Sequence, residues 1–398
     1  MKRHLNKALT FLMILLAFQC KQDRTISQAN ESNIANFSEL IVAVNLSDSA
    51  DQQTIVDQFL DSLDAPHIEE DTNVYFFYQG DASSVQVAGD FTGWNPTGRN
   101  FTRLRDTDLW YRKEVFEDNA RLDYKLVIGS NWILDPKNPN RIGGGFGPNS
   151  ELAMPKYEQP EEIESRDGID KGSISEFQIT STHTGKTYDV YVYLPASYNE
   201  SNEYPVAYFQ DGSDYLNLAS TKNVLDNLIA DNKITPAIGV FVVPNDRNIE
   251  YAFDDRFKYT DFFVNELVPH IDGNYATIAS ATSRAVIGDS YGGNISAIIA
   301  FQNPEVFGNC GIHSGAFQPN NFHTNGIVMD GKNKDIKVAT IWGTYEGSSL
   351  PPNMRKVKDY LIETGYDMVW KELPEGHSWG LWRATTDDML EFFFPAVN

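Results

Sequence analysis

Ser290 sits in Gly288-Asp289-Ser290-Tyr291-Gly292, a G-x-S-x-G pentapeptide between an apolar run, Arg284 to Ile287, and a helix-compatible run, Ser290 to Gln302. A serine hydroxyl attacks a carbonyl only when a neighbouring base takes its proton. Glycines on both sides of it suit a sharp strand-to-helix turn, where side chains would collide. Ser290 would then project from the top of a sheet at a helix N-terminus, where amide groups favour an anion. That arrangement points to acyl transfer through a serine nucleophile; an incidental glycine-rich turn is the bland alternative.

The base should be a histidine, and beyond its first residues the chain offers His67, His183, His270, His313, His323 and His377. Only His377 lies past the last strand candidate, on a flexible Pro374-Glu375-Gly376 approach, which fits the α/β-hydrolase chain order of Ser, acid, His. His313 follows a buried-looking strand and reads as a core or supporting residue. The acid should follow the penultimate strand, and Gly343-Thr344-Tyr345-Glu346 puts a carboxylate there. Glu346 would hold the imidazole tautomer and stabilise its cation. Asp387 and Asp388 come after the histidine in a helical context and are poorer choices. The developing oxyanion needs backbone donors: the amide of Tyr291, and those of Gly212 and Ser213 in the loop after Val206 to Phe209.

Strands and helices must hold these groups. Ser173 to Leu194 reads as a hairpin. Strands are predicted at Val206 to Phe209, Ile238 to Val243, Arg284 to Ile287, Gly311 to His313, Val338 to Trp342 and Asp367 to Glu372. Helices are predicted near Asn223 to Asp231, Tyr259 to Ile271, Ser290 to Gln302 and Pro352 to Thr364. Strand and helix in alternation argue an α/β fold with a mostly parallel sheet covered on both faces.

Five motifs recur in order: Gln210-Asp-Gly-Ser213, Arg247-Asn-Ile-Glu250-Tyr, Gly288-Asp-Ser-Tyr-Gly-Gly293, Gly343-Thr-Tyr-Glu346 and Gly376-His-Ser-Trp379-Gly-Leu-Trp382. Over residues 172 to 398 the chain resembles the esterase family that includes esterase D, enterochelin esterases and the feruloyl and acetyl-xylan esterases. The resemblance implies an α/β-hydrolase fold with Ser290 as nucleophile, His377 as base and Glu346 as acid, no cofactor and no metal. Glu346 stands where many relatives have Asp, and either carboxylate can orient the histidine. Arg247 and Glu250 match a recurring family pair, read as a structural ion pair near the pocket; Asp211 and Arg247 are also candidates to touch substrate. Trp379 and Trp382 either line an aromatic acyl pocket or pack the histidine loop.

Ahead of this domain, short alternating strands with turn residues between them, from Asn73 to Val127, indicate a small immunoglobulin-like all-β sandwich over residues 68 to 157, joined by a linker at 158 to 171. Val87-Ala-Gly-Asp-Phe-Thr-Gly-Trp94, Tyr124-Lys125 and Trp132-Ile-Leu-Asp-Pro-Lys-Asn138-Pro resemble the glycogen-binding type of carbohydrate-binding module. The resemblance makes Trp94, Trp132 and Lys125 a sugar platform with Asn138 as an added contact, since indoles stack on sugar rings and polar groups reach hydroxyls. The alternative is a spacer or a wall of the active site.

At the start of the sequence, Lys2, Arg3 and Lys7 precede an apolar run, Ala8 to Phe18, too short to span a bilayer and read as a signal segment over residues 1 to 19. Leu16-Ala17-Phe18-Gln19-Cys20 resembles a bacterial lipoprotein cleavage site, with Gln19 in place of a small residue, which implies lipidation at Cys20 and a place in the cell envelope. Residues 20 to 67 read as a polar tether with room for one short helix near Phe37 to Leu46. Cys310 is then the one remaining thiol, so a disulfide framework and a cysteine zinc site are excluded within a monomer. A formal charge of −23, from 32 Lys+Arg against 55 Asp+Glu, would repel phosphate backbones and disfavours nucleic acid as a partner.

The sequence therefore reads as an exported serine ester hydrolase without cofactor, acting on feruloyl or acetyl esters of polysaccharide. The alternatives are a catecholate siderophore trilactone esterase, acyl transfer to a sugar acceptor and, in a different class, a glycan-binding surface lipoprotein whose hydrolase domain is vestigial.

Overall fold

Val206-Ala-Tyr-Phe209 and Ile238-Gly-Val-Phe-Val242 are uninterrupted apolar runs, as strands buried on both faces require. In the computed structural model, which describes residues 34–61, 63–145, 147–332 and 335–396, both lie inside an eight-stranded sheet. The expected signal segment and Cys20 lie outside the described residues.

The chain forms two compact units. One comprises Met1–Val87, described from residue 34, with Pro96–Phe116 and Leu126–Pro139; the other comprises Ala88–Asn95, Glu117–Lys125 and Asn140–Asn398. This division does not follow the expected boundary at 157 to 172, because three pieces of the β region join the unit of the large sheet.

In the first unit, β1 (His67–Glu69), β2 (Asn73–Gln79), β4 (Thr102–Arg103) and β5 (Leu109–Val115) make an antiparallel sheet in the order β1-β2-β5-β4. The segment read as a polar tether is corrected here: it contains two helices, Phe37–Leu46 and Ser49–Leu60. Asn36 caps the first by accepting a hydrogen bond from the Glu39 amide at 2.8 Å. Phe37, Leu40 and Val44 recur at helical spacing and are buried with Ile55, Val56 and Leu60 against Tyr75, Phe77 and Leu109. The Phe37 ring stacks on Tyr75 at 4.6 Å. Between the β1/β2 and β4/β5 segments in the chain runs β3 (Val85–Gly89), and the end of β6 (Arg121–Ile128) pairs with β7 (Asn131–Ile133).

In the second unit, the start of β6 pairs with β9 (Asn149–Ala153), which pairs with β8 (Arg141–Ile142). The large sheet has the order β10 (Ser173–Thr180), β11 (Thr187–Leu194), β13 (Ile238–Val242), β12 (Val206–Phe209), β14 (Arg284–Asp289), β15 (Asn309–His313), β16 (Lys337–Gly343), β17 (Met368–Leu373). The pairs β10/β11 and β11/β13 are antiparallel, and the rest are parallel. Alternate residues serve opposite faces. Val206, Tyr208 and Val286 pack with Ile295, Ile298 and Leu361 from the helices Tyr291–Gln302 and Leu350–Thr364. Ala207, Phe209, Ala285 and Ile287 pack with Leu225, Leu228, Met389 and Leu390 from the helices Thr221–Ala230 and Thr386–Phe393. This is the expected sheet covered on both faces. The helix predicted over Tyr259 to Ile271 is broken by a π-helical stretch, Phe263–Leu267, just before Pro269, which has no amide to continue the ladder.

Two buried carboxyls in this unit titrate late. Burial, with the charge of Asp123, lifts Asp90 from 3.8 to about 8, and burial lifts Glu375 from 4.5 to about 7 despite the nearby Arg121. A carboxyl whose pKa rises on folding holds its proton more tightly in the folded state. Its stabilising contribution is complete below its unfolded value and is lost as pH climbs through the folded one. The Tm is therefore expected to fall between about pH 4 and pH 8, and thermal unfolding across that range, with Asp90→Asn flattening the fall, checks it.

Candidate active site

The carboxyl ends of parallel strands open toward one crevice, where doubly covered sheets place their ligands. Ser290 follows β14 at that end with φ 53° and ψ −116°, a left-handed conformation that a non-glycine residue holds only under constraint. Three backbone bonds supply the constraint: the Ser290 amide donates to the His313 carbonyl at 2.8 Å, and its own carbonyl accepts from Asn294 at 3.1 Å and Ala316 at 3.0 Å. Gly288 is required by close approach, because a Cβ there would fall 2.3 Å from the backbone of Gly292.

His377 lies between β17 and the short helix Trp379–Arg383. Its Nε2 stands 2.9 Å from Ser290 Oγ and its Nδ1 3.3 Å from Glu346 Oε2. With Nδ1 protonated toward the carboxylate, Nε2 is left to accept the serine proton, a tautomer assigned from these partners. Glu346, in the loop after β16, has a fully buried side chain. Its Oε1 accepts from the Gly343 amide at 2.9 Å and from Ser314 Oγ, which in turn accepts from the Trp382 indole at 2.9 Å. The carboxylate is thus aimed by donors on one oxygen and faces the imidazole with the other, a geometry that can orient and charge-compensate a base. Ser314 was not foreseen; it lies one residue past β15 and takes φ 49°.

The two expected sources of oxyanion donors are held together by Arg247. Its guanidinium donates to both oxygens of Asp211 at 2.8 Å and to the carbonyl and Oδ2 of Asp289 at 3.2 Å. Asp211 immediately precedes Gly212 and Ser213, the first residues of the helix Gly212–Asn217, and Asp289 precedes Ser290 and Tyr291. Amides at the start of a helix have no partner within it, so those of Gly212, Ser213 and Tyr291 are the available kind of donor. Burial and the neighbouring Asp211 charge hold the Asp289 carboxyl well above the usual range.

Several expectations change. Asp211 and Arg247 are engaged with each other; Asp211 is buried, whereas the Arg247 side chain stays 34% exposed. Arg247 does not pair with Glu250, which is fully buried and accepts from Lys186 at 2.8 Å and from the Tyr188 hydroxyl at 2.9 Å. Trp379 and Trp382 pack the histidine loop: both are buried, their rings meet edge-on at 4.9 Å, and Trp382 meets His377 at 5.1 Å. His313, by contrast, is the core residue expected, bonded to the Tyr215 hydroxyl at 2.9 Å and Thr385 Oγ1 at 3.0 Å, and burial drops its pKa from 6.5 to about 3.

Of the sugar-contact residues, Asn138 is 2% exposed and out of reach of a glycan. The Trp94 indole donates to buried Asp90 at 3.1 Å, and Lys125 is half-buried. Trp132 is 46% exposed. Trp94 and Lys125 belong to the second unit, Trp132 and Asn138 to the first.

Residues 181–362 match the family described as "Putative esterase". The chain is 31% identical over 287 residues to the endo-1,4-beta-xylanase/feruloyl esterase of Xylanibacter ruminicola, a match covering 68% of this chain and 38% of that one, so this chain spans well under half of that relative's length. The enterobactin esterase of Shigella flexneri, crystallised in the presence of enterobactin, superposes with a TM-score of 0.70 at 19% identity, covering 85% of this chain and 97% of that one. A ferulic acid esterase from Anaeromyces mucronatus superposes with a TM-score of 0.51 at 17% identity, covering 60% and 97%. At such identities the superpositions speak for the α/β-hydrolase fold alone, whereas the sequence matches carry the kinship: residues 181–362 of this chain are similar to the putative esterase family.

Proposed function

We propose that this chain is an exported serine carboxylic ester hydrolase that removes feruloyl or acetyl groups from polysaccharide through an acyl-enzyme. The observation that carries it is the 2.9 Å approach of His377 Nε2 to Ser290 Oγ, with Glu346 on the opposite ring nitrogen. In this reading His377 takes the hydroxyl proton as Ser290 Oγ bonds to the ester carbonyl carbon, and the carbonyl electron pair moves to oxygen among the amides of Tyr291, Gly212 and Ser213. That pair returns, the ester C–O bond breaks, and His377 hands the proton to the departing alkoxide. Water then repeats the attack on the acyl-serine, releasing the acid and restoring Ser290.

Three things support the substrate class. The Xylanibacter ruminicola relative is named for xylanase and feruloyl esterase activities. Phe253 is exposed with its ring 6.2 Å from that of Tyr291, an aromatic surface beside the nucleophile suited to an aromatic acyl group. The formal charge of −23 works against a polyanionic ferric catecholate. The basic start, apolar run and Cys20 support export and a lipid anchor in the cell envelope.

Acid release from methyl ferulate, acetylated xylan and a tricatecholate lactone, with Ser290→Ala as control, tests the proposal, and recovery of the chain in the envelope fraction checks its export. Ser290-dependent turnover of either plant-type ester supports it; preference for the lactone moves the protein to siderophore hydrolysis, and no turnover leaves acyl transfer or glycan binding. Trp132→Ala is expected to weaken retention on insoluble xylan several-fold while leaving methyl ferulate turnover unchanged, since stacked aromatics contribute about 1 kcal/mol each. Equal retention of variant and parent would deny the exposed indole a sugar-binding role.

A further inference from the structure

The loop that carries His377 makes few bonds of its own. Glu375 donates to the Leu373 carbonyl at 2.8 Å and Ser378 to the Gly376 carbonyl at 3.0 Å, and the Glu375 carbonyl accepts from the Tyr345 amide at 3.0 Å. On its other side stands a buried charged cluster from the segments Ala88–Asn95 and Glu117–Lys125, all within the second unit. Arg121 is fully buried. Its amide donates to the Pro374 carbonyl at 3.1 Å and its Nη1 to Ser378 Oγ at 2.9 Å. Asp123, at 2.8 Å from Nη2, and Glu151, bonded to Nε, fix the guanidinium in place.

Two glycines record how tightly this cluster meets the loop. A Cβ on Gly376 would fall 1.9 Å from Asp90 Cγ, and one on Gly380 would fall 1.9 Å from Arg121 Cζ. Gly376 is therefore there for the close approach of a carboxyl, not for the flexibility its sequence suggests. Asp90 is itself held, accepting from the Asp123 amide at 2.7 Å and from the Trp94 indole. Pro374, Gly376, Ser378 and Gly380, every second residue around His377, thus bear on Arg121 or Asp90. Ser378 makes no side-chain capping bond for the helix that follows it, so its hydroxyl is spent on Arg121.

We propose that Arg121 and Asp90 are positioning residues for His377, setting the imidazole between Ser290 and Glu346 from a part of the chain that contributes no reacting group. This rests on the reading of His377 as the base. Displacing a reacting group by about 1 Å costs on the order of 100-fold in rate, so a loop released on one side should be felt in turnover before binding.

The experiment compares the full chain with Ser378→Ala, Arg121→Lys and Ser290→Ala on methyl ferulate, measuring kcat, KM, the pH–rate profile and Tm. Ser378→Ala removes only the loop-side acceptor, and it is expected to lower kcat about tenfold with KM within about twofold. The acid limb of its profile should move to lower pH, because an imidazolium held less closely to Glu346 is less stabilised. Arg121→Lys, which keeps the charge and loses the fork, should move both readings further in the same direction. A Ser378→Ala protein with unchanged kcat and an unmoved acid limb would overturn the proposal, whatever happens to its Tm. Undiminished turnover by Ser290→Ala would instead sink the catalytic reading, and this proposal with it.

Discussion

Ser290→Ala is expected to lower kcat on methyl ferulate by about 10⁴-fold or more while KM changes little. The hydroxyl it removes is the atom 2.9 Å from His377 Nε2, and with it goes the covalent route, whereas the walls that bind substrate stay in place. His377→Ala should cost about as much, and the double variant no more than either, because nucleophile and base act as a unit. The residual rate, about 10³-fold over water, would come from oriented binding and the amides of Tyr291 and Gly212. Steady-state kinetics of the two single variants and the double checks all three statements; additive losses would mean that the residues act separately.

Gly288→Ala is the second large effect expected. The Cβ it adds meets the carbonyl carbon and oxygen of Gly292 at 2.3 Å. Both atoms belong to backbone in the first turn of the helix Tyr291–Gln302, so no side-chain rotation relieves the clash. Strand β14 and that helix must move apart, and Ser290 lies between them. Overpacking of this kind costs about 1–3 kcal/mol in stability, and the shift in Ser290 about 100-fold in kcat. Chemical unfolding with parallel kinetics measures both; wild-type activity in a folded Gly288→Ala protein would contradict the elbow as described.

The places of Ser290, His377 and Glu346 were legible because the chemistry expected of them is bound to local sequence. A serine between glycines after a strand, a carboxylate just past the penultimate strand and a histidine past the last can be picked out without knowing the sheet order. The sheet followed from apolar runs whose strands match the expected ones to within a residue or two at most ends. What stayed hidden depends on distant partners. Arg121 reaches Ser378 across 257 positions, and nothing near Arg121 announces it. Ser314 acts only because its backbone turns left-handed and aims the hydroxyl at Glu346. Trp379 and Trp382 left two readings open, since an indole in a pocket and one in a core look alike until burial is known. The helices from Phe37 to Leu60 were masked by composition: Ser, Asp and Gln are interspersed along the segment, yet Phe37, Leu40, Val44, Ile55, Val56 and Leu60 fall where helical spacing buries them together.

The most direct test of the central claim is stoichiometric phosphorylation with diisopropyl fluorophosphate, which loses fluoride to the serine, locating the label by peptide mass spectrometry while following ester turnover. The account predicts one label per chain, on Ser290, with turnover falling in proportion, and no label when His377→Ala leaves the serine without its base. Label on another serine, or turnover that persists once Ser290 is fully modified, would contradict it.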